Sequence, residues 1–102
     1  MIHELATVEL REGTRPSFLK EFHRVMPLVR AESGCIEYGA SIDLATEIPV
    51  QLPLRPDVAV IVEKWESLAH LKAHLGAAHM AEYRGRVKDF VKQVTLQVLE
   101  PA

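Results

Sequence analysis

The chain has 102 residues, of which 48% are hydrophobic and 25% charged, and its formal net charge is −2. This length suits one compact domain, so we predict a single domain over residues 1–102. The charge balance argues against a nucleic-acid partner, which would need a basic face. No apolar run is long enough to span a membrane and no signal-peptide pattern is present, so we expect a cytoplasmic protein with no membrane partner.

The first part of the chain predicts a strand, a helix and a second strand. Alternating apolar residues indicate a strand over residues 2–10, although Glu4 interrupts its apolar face. Thr14 is a suitable N-cap, and apolar residues at helical spacing then predict a helix that runs to about Glu32. The second strand is predicted over residues 35–44, and it begins with the only cysteine, which excludes an internal disulfide.

Residues 45–57 carry three prolines and predict a loop or an arm. Within this segment Ile48, Val50, Leu52 and Leu54 alternate with polar residues or proline. An extended arm that packs against another surface would explain this alternation, and we expect it to clasp a partner subunit. A mobile loop, or a lid over a pocket, is the alternative.

The run Val58–Val62 is the strongest strand prediction, because it is apolar at every position. Such a strand is expected to be buried on both faces. Helices of the same chain can cover one face, and a second subunit is the natural cover for the other. The sequence therefore predicts a homodimer.

Two helices and a strand are predicted after this run. Ser67 is expected to cap a helix whose buried stripe is Leu68, Leu71 and Leu75. Gly76 interrupts this helix, and a further helix carries Met80, Tyr83, Val87 and Phe90 at spacings of three and four. Alternation returns in residues 91–100 as a last strand. The order of elements predicts an α+β fold, a ferredoxin-like βαββαβ unit.

Glu63 and Trp65 lie two residues apart on the predicted strand, so their side chains share one face. A carboxylate on a buried strand needs a partner. Glu63 is therefore either a pocket acid beside an aromatic wall or one half of an ion pair with an arginine of the first helix. Trp65 is either that wall or part of the core. Tyr38, in the second strand on the same face as Ile36, could donate a hydrogen bond to a substrate oxygen or fill the core.

Three histidines follow in the run between Trp65 and Met80. His70 and His74 are one helical turn apart, but the zinc-protease glutamate is missing and no third ligand is evident, so we predict no metal site. His74 lies about 90° from the leucine stripe and borders the apolar face. His79 is near the start of the next helix. Either could accept a proton near neutral pH, and the alternative for each is a border histidine bonded to the backbone.

Three runs resemble the antibiotic biosynthesis monooxygenase family, and within it the bacterial quinol monooxygenases. They are ESGCIEY at residues 32–38, VEKWES at residues 62–67 and HLGAAHM at residues 74–80. The resemblance implies that two ferredoxin-like units pair sheet to sheet in a dimeric α+β barrel. It also implies an enzyme that oxygenates a small aromatic polyphenol with molecular oxygen and uses no cofactor.

The resemblance implies few protein groups in the reaction: a base that deprotonates a quinol, a dry pocket and groups that orient the substrate. We expect His74 and His79 to be base and orienter, and Tyr38, Glu63, Trp65 and Tyr83 to contact the substrate. The alternatives on this scaffold are an isomerase or other small-metabolite enzyme, and a non-catalytic dimer that binds an aromatic ligand. A haem-degrading protein is disfavoured, because the position comparable to that branch's strand-one asparagine is Thr7.

Overall fold

The computed structural model describes residues 1–102 as a four-stranded antiparallel sheet with helices against one face. Its elements are β1 (Ile2–Leu10), α1 (Arg15–Arg30), β2 (Cys35–Ser41), β3 (Val58–Trp65), α2 (Leu68–Leu75), α3 (Ala78–Val87) and β4 (Val91–Leu99). The strand order is β2-β3-β1-β4. This confirms the predicted ferredoxin-like βαββαβ unit, in which α2 and α3 together take the place of the second helix. None of the helices has the length and apolar character needed to cross a membrane.

The helix α1 begins where the sequence predicted but ends two residues early, at Arg30 instead of Glu32. Thr14 occupies the N-cap position, yet its hydroxyl donates to the Arg11 carbonyl at 2.7 Å and does not accept from the helix. Four apolar side chains of α1 are buried against the sheet: Phe18, Phe22, Val25 and Val29. After α1 the chain turns at Gly34, whose φ of +80° favours glycine. A side chain there would also collide with the ring of His70.

Strand β1 continues through Glu4 without interruption, and the Glu4 side chain is buried on the same face as Ala6, Val8 and Leu10. That face is the one covered by the helices. The sequence showed Glu4 as an interruption of the apolar face, and the structure places its carboxyl group, buried, within that inward face of the sheet.

Strand β2 departs from the prediction in register and in length. The register shifts between Cys35 and Glu37, so that Ile36 is 51% exposed while Tyr38 is buried. The prediction that Ile36 shares the face of Tyr38 was wrong, because a β-bulge adds a residue between the paired positions. The strand ends at Ser41, whose partner is Val60, because β3 extends little further in that direction.

Strand β3 is buried on one face only. Ala59, Ile61, Glu63 and Trp65 point into the core. The alternate residues Val58, Val60, Val62 and Lys64 are only half-buried, because no helix covers this second face of the sheet. We call this uncovered side of the sheet the open face. The chain's own helices therefore cover one face of β3, as predicted, and leave the other face without a cover.

The helices α2 and α3 follow the predicted apolar spacing with two corrections, one for the leucine stripe of α2 and one for Phe90, which lies beyond the end of α3 and is only half-buried. Ser67 caps α2 and accepts a hydrogen bond from the backbone N–H of His70 at 3.3 Å. The predicted leucine stripe was wrong in part: Leu71 is buried, but Leu68 and Leu75 are 47% and 38% exposed. The buried face of α2 is formed by Leu71 and His74, because the imidazole finds buried polar partners there. In α3 the predicted Met80, Tyr83 and Val87 are buried.

The long connection between β2 and β3 contains no helix or strand. An ion pair closes its base, where the Arg55 guanidinium donates two hydrogen bonds to the Asp43 carboxylate at 2.8 and 2.9 Å. These bonds lower the pKa of Asp43 to about 2. Beyond this closure Val50 and Leu52 are 89% and 78% exposed, so the apolar residues of this arm do not pack on their own chain.

Candidate active site

A cavity of about 530 Å³ lies between the inward face of the sheet and the helices α2 and α3. Its volume falls in the range of small-molecule sites, about 300–1,000 Å³. Most of its lining is hydrophobic, from Ala6, Val8 and Ile61 on the sheet to Met80 and Val87 on α3. The walls can therefore enclose an apolar or aromatic molecule.

The mouth of the cavity lies between α3 and the edge strand β4. Val94 and Leu96 line it and remain 49% and 48% exposed, because no helix reaches over β4. On the opposite side the exposed side chains of Arg84 and Lys88 form a basic rim. A ligand would enter past this rim.

Buried polar side chains lie deep in the cavity. Glu4, Tyr38, Glu63 and His74 line it, and each is at most 4% exposed. We call this region the closed end. The cavity therefore has a polar closed end, whereas most of its remaining lining is hydrophobic.

The carboxyl group of Glu63 lies at the centre of the closed end. Its Oε1 accepts a hydrogen bond from the Trp65 indole at 2.9 Å and lies 3.7 Å from His74 Nε2. Glu63 is also the register partner of Glu4 across β1 and β3. Burial, and next the Glu4 carboxyl, raise the pKa of Glu63 to about 9, so that it is a neutral acid at pH 7. The ion pair with an arginine of α1, one of our two expectations, is not formed.

Glu4 is a site residue that sequence reasoning missed. It is 1% exposed and lines the cavity, and its Oε2 is buried without a hydrogen-bond partner. Leaving a buried acceptor unsatisfied costs about 1–3 kcal/mol, and more when it is charged. The available signal was a glutamate at an inward position of an otherwise apolar alternation.

A second missed residue, Glu32, joins the two predicted catalytic histidines. Its Oε2 lies 2.8 Å from His74 Nδ1 and 2.8 Å from His79 Nε2. An ionised carboxylate can only accept hydrogen bonds, so both of these nitrogens carry a hydrogen beside it. In neutral His74 the lone pair is then on Nε2, on the side of Glu63. Neither histidine has the backbone partner of our alternative.

The two histidines differ in access to the cavity. His74 is 1% exposed and lines the cavity, whereas His79 is not among the lining residues. No group of three or more His, Cys, Asp or Glu side chains has an arrangement that could hold a metal ion.

The aromatic residues also differ in their access to the cavity. Tyr38 and Tyr83 line the cavity, and burial is the main cause that raises the pKa of both phenols. Both are therefore hydrogen-bond donors at neutral pH. Trp65 does not line the cavity: it is fully buried behind the closed end, with its ring 4.7 Å from that of His74. Of the six predicted site residues, four line the cavity and two support it from behind.

The position of Thr7 does not support our argument against a haem-degrading protein. It pairs with Val60 and Thr95, on the open face. Its neighbour Ala6 lines the cavity. Because Thr7 points away from the cavity, its identity is no argument against a haem ligand.

Comparisons with known proteins agree with this architecture. The model of the family described as antibiotic biosynthesis monooxygenase matches residues 1–86. The chain is 36% identical over 103 residues to the Escherichia coli K12 protein named "Probable quinol monooxygenase YgiN", covering 99% of this chain and 98% of that protein.

Solved structures share the fold at low sequence identity. Rv0793 from Mycobacterium tuberculosis superimposes with a TM-score of 0.80 at 22% identity, covering 99% of this chain and 94% of that one. PA3566 from Pseudomonas aeruginosa gives 0.80 at 19% identity, with 99% and 93% covered. The family match over residues 1–86 and the 36% identity to the Escherichia coli protein show that the chain belongs to the antibiotic biosynthesis monooxygenase family.

Proposed function

We propose that the protein is a cofactor-independent monooxygenase that oxidises a quinol or a related aromatic polyphenol with molecular oxygen. Family membership and the name of the 36% identical relative support a monooxygenase. The observation that carries the proposal is the cavity itself, whose apolar walls suit an aromatic ring and whose closed end holds acid–base groups. This combination suits a substrate that must lose a phenolic proton in a dry site.

The proposed reaction converts a quinol and oxygen into a hydroxylated quinone and water. A base removes a phenolic proton, and the resulting anion gives one electron to oxygen. The two radicals then combine to form a bond between ring carbon and oxygen. Loss of water from this adduct leaves one oxygen atom on the ring, and all electrons that reduce oxygen come from the substrate. The protein has to supply a base, orientation and exclusion of water.

We assign the base to His74 and a positioning role to His79. His74 lines the cavity, and its bond to Glu32 fixes the ring with Nε2 on the inner side. His79 contacts the same carboxylate oxygen from outside the cavity. The phenols of Tyr38 and Tyr83 would donate to substrate oxygens, and Glu63 would hold a substrate hydroxyl.

The test is enzyme-dependent oxygen uptake by metal-stripped protein with reduced naphthoquinols and benzoquinols, measured with chelator and corrected for autoxidation. Loss of general-base catalysis typically lowers the rate by about 10²–10⁴-fold, which we expect for His74→Ala. We expect a smaller loss for His79→Ala, and no change for the exposed His23→Ala control.

Two results would contradict this assignment. Unchanged turnover of His74→Ala would remove the proposed base. Absence of uptake across the whole panel by the folded wild-type protein would contradict the monooxygenase, and would favour the isomerase or the ligand-binding alternative.

We further propose that two chains pair through their open faces to form a homodimer, with the arm as a clasp. The half-buried valines of β3 and the exposed Val50 and Leu52 of the arm support this, because each is apolar surface without a cover. Val60→Glu should convert the dimer to monomer in light scattering. Val50→Ser with Leu52→Ser should weaken the dimer if the arm clasps the partner, and an unchanged dissociation constant would contradict the clasp.

A further inference from the structure

The closed end of the cavity contains one polar atom that has no role in the assignments above. Glu4 Oε2 is buried in a side chain of the cavity wall, and apart from the neutral carboxyl group of Glu63 that faces Glu4, the chain offers it no donor. Buried acceptors are normally paired, and exceptions call for an explanation. A missing ligand group would supply the partner.

We propose that Glu4 accepts a hydrogen bond from a hydroxyl of the bound ligand, so that the cavity selects hydroxylated aromatic molecules over their ethers and quinones. This inference rests on the proposed function, because it assigns the substrate-selecting residue of the same cavity. It adds a residue that the proposed chemistry does not require, because the base His74 and a dry pocket would suffice for turnover, whereas Glu4 offers an acceptor to a second hydroxyl.

Most other polar groups of the closed end cannot provide this selection. Glu63 Oε1 already accepts from the Trp65 indole, and His74 Nδ1 is bonded to Glu32. The phenols of the lining tyrosines are donors, and they would donate equally well to a hydroxyl, an ether or a quinone oxygen. Only an acceptor separates a hydroxyl from these analogues. The proposed base, His74 Nε2, meets the hydroxyl that reacts, and Glu4 is available to a second hydroxyl of the ligand.

The charges around the cavity favour a neutral hydroxyl over an ammonium group. Glu63 faces Glu4 and is a neutral acid at pH 7, so the two carboxyl groups do not add up to a double negative charge. At the mouth, Arg84 and Lys88 repel a cation before it can enter. A hydroxylated ring is therefore a better match than an aromatic amine.

Binding, measured without turnover, tests this inference. Isothermal titration calorimetry under argon at pH 7 compares 2,6-dihydroxynaphthalene with its dimethyl ether and with 2-naphthylmethylamine. Wild type should bind the diol more tightly than the ether by about ten-fold or more, because the ether leaves a buried acceptor without its hydrogen bond. The amine should bind more weakly than the diol.

Two variants and one control test whether Glu4 causes the preference for the diol. Glu4→Leu should lower the preference for the diol and leave binding of the ether unchanged or tighter. Glu4→Gln keeps the shape and a weaker acceptor, so its preference should be intermediate. Glu9→Gln changes an exposed carboxylate of the same strand and should bind as wild type does. Circular dichroism establishes that each variant is folded.

The outcomes separate this inference from the proposed function. An unchanged ratio of diol to ether affinity in both folded Glu4 variants would overturn the role of Glu4, even if wild type consumes oxygen with quinols. Tighter binding of the amine than of the diol would also overturn it. A preference that depends on Glu4 in a protein without oxygen uptake would support the inference and count against the monooxygenase.

Discussion

Replacing Glu63 by Gln should change how the stability of the protein depends on pH. Glu63 is 4% exposed, and its pKa in the folded protein is about 9 against an ordinary value of 4.5. Between these two values the folded state holds a proton that the unfolded state has lost. The stability that Glu63 contributes is therefore complete below pH 4.5 and is lost as the pH rises towards 9.

The magnitude follows from the proton difference. One proton bound only in the folded state gives a slope of about 1.4 kcal/mol per pH unit in the free energy of unfolding. Glutamine is neutral at every pH and can keep the bond from the Trp65 indole. Glu63→Gln should therefore gain stability relative to wild type by about 3 kcal/mol between pH 6 and pH 8.

Urea denaturation at pH 6, 7 and 8, followed by circular dichroism at constant protein concentration, measures this difference. The control is Glu37→Gln, which changes an exposed carboxylate paired with Lys64 at 2.9 Å and should run parallel to wild type. Parallel profiles of Glu63→Gln and wild type over this range would refute the reasoning, because they would mean that Glu63 is ionised in the folded protein.

Two further predictions concern the turn before β2 and the base of the arm. Gly34→Ala should cost about 1–3 kcal/mol for the positive φ alone, plus the collision with the His70 ring. Gly13, with a φ of +75°, has open space where a Cβ would lie, so Gly13→Ala should show the cost of backbone strain alone in the same urea denaturation experiment. Equal losses of stability in the two variants would contradict the collision. By NMR titration Asp43 should ionise with a pKa of about 2, and Arg55→Gln should raise that pKa towards 3.8, whereas an unchanged value would contradict the ion pair.

Sequence periodicity predicted part of the candidate site. Tyr38, Glu63, His74 and Tyr83, four of the predicted site residues, line the cavity, because strand and helix periods place them on inward faces. Trp65 and His79 share those faces but lie behind the lining. Periodicity predicts which way a side chain points. Whether that side chain reaches the cavity or lies behind its lining depends on the neighbouring elements.

Glu32 shows why some site residues are out of reach of pattern analysis. It follows α1, 42 positions before His74 and 47 before His79 along the chain, in a turn with no periodicity of its own. Only the tertiary structure, in which α1 packs beside α3, brings its carboxylate to both imidazoles. The leucine stripe of α2 failed for the same reason, because a buried polar partner decided which face of the helix turned inward.

The order and type of the elements, the cap at Ser67 and the apolar strand at Val58–Val62 follow from the sequence alone, because short-range spacing and local backbone preference specify them. The pairing of Glu4 with Glu63, the shared oxygen of Glu32 and the location of the cavity were decided by the tertiary structure. These depend on strand register and helix packing between distant segments, and burial there raises the pKa of the Glu63 carboxyl group.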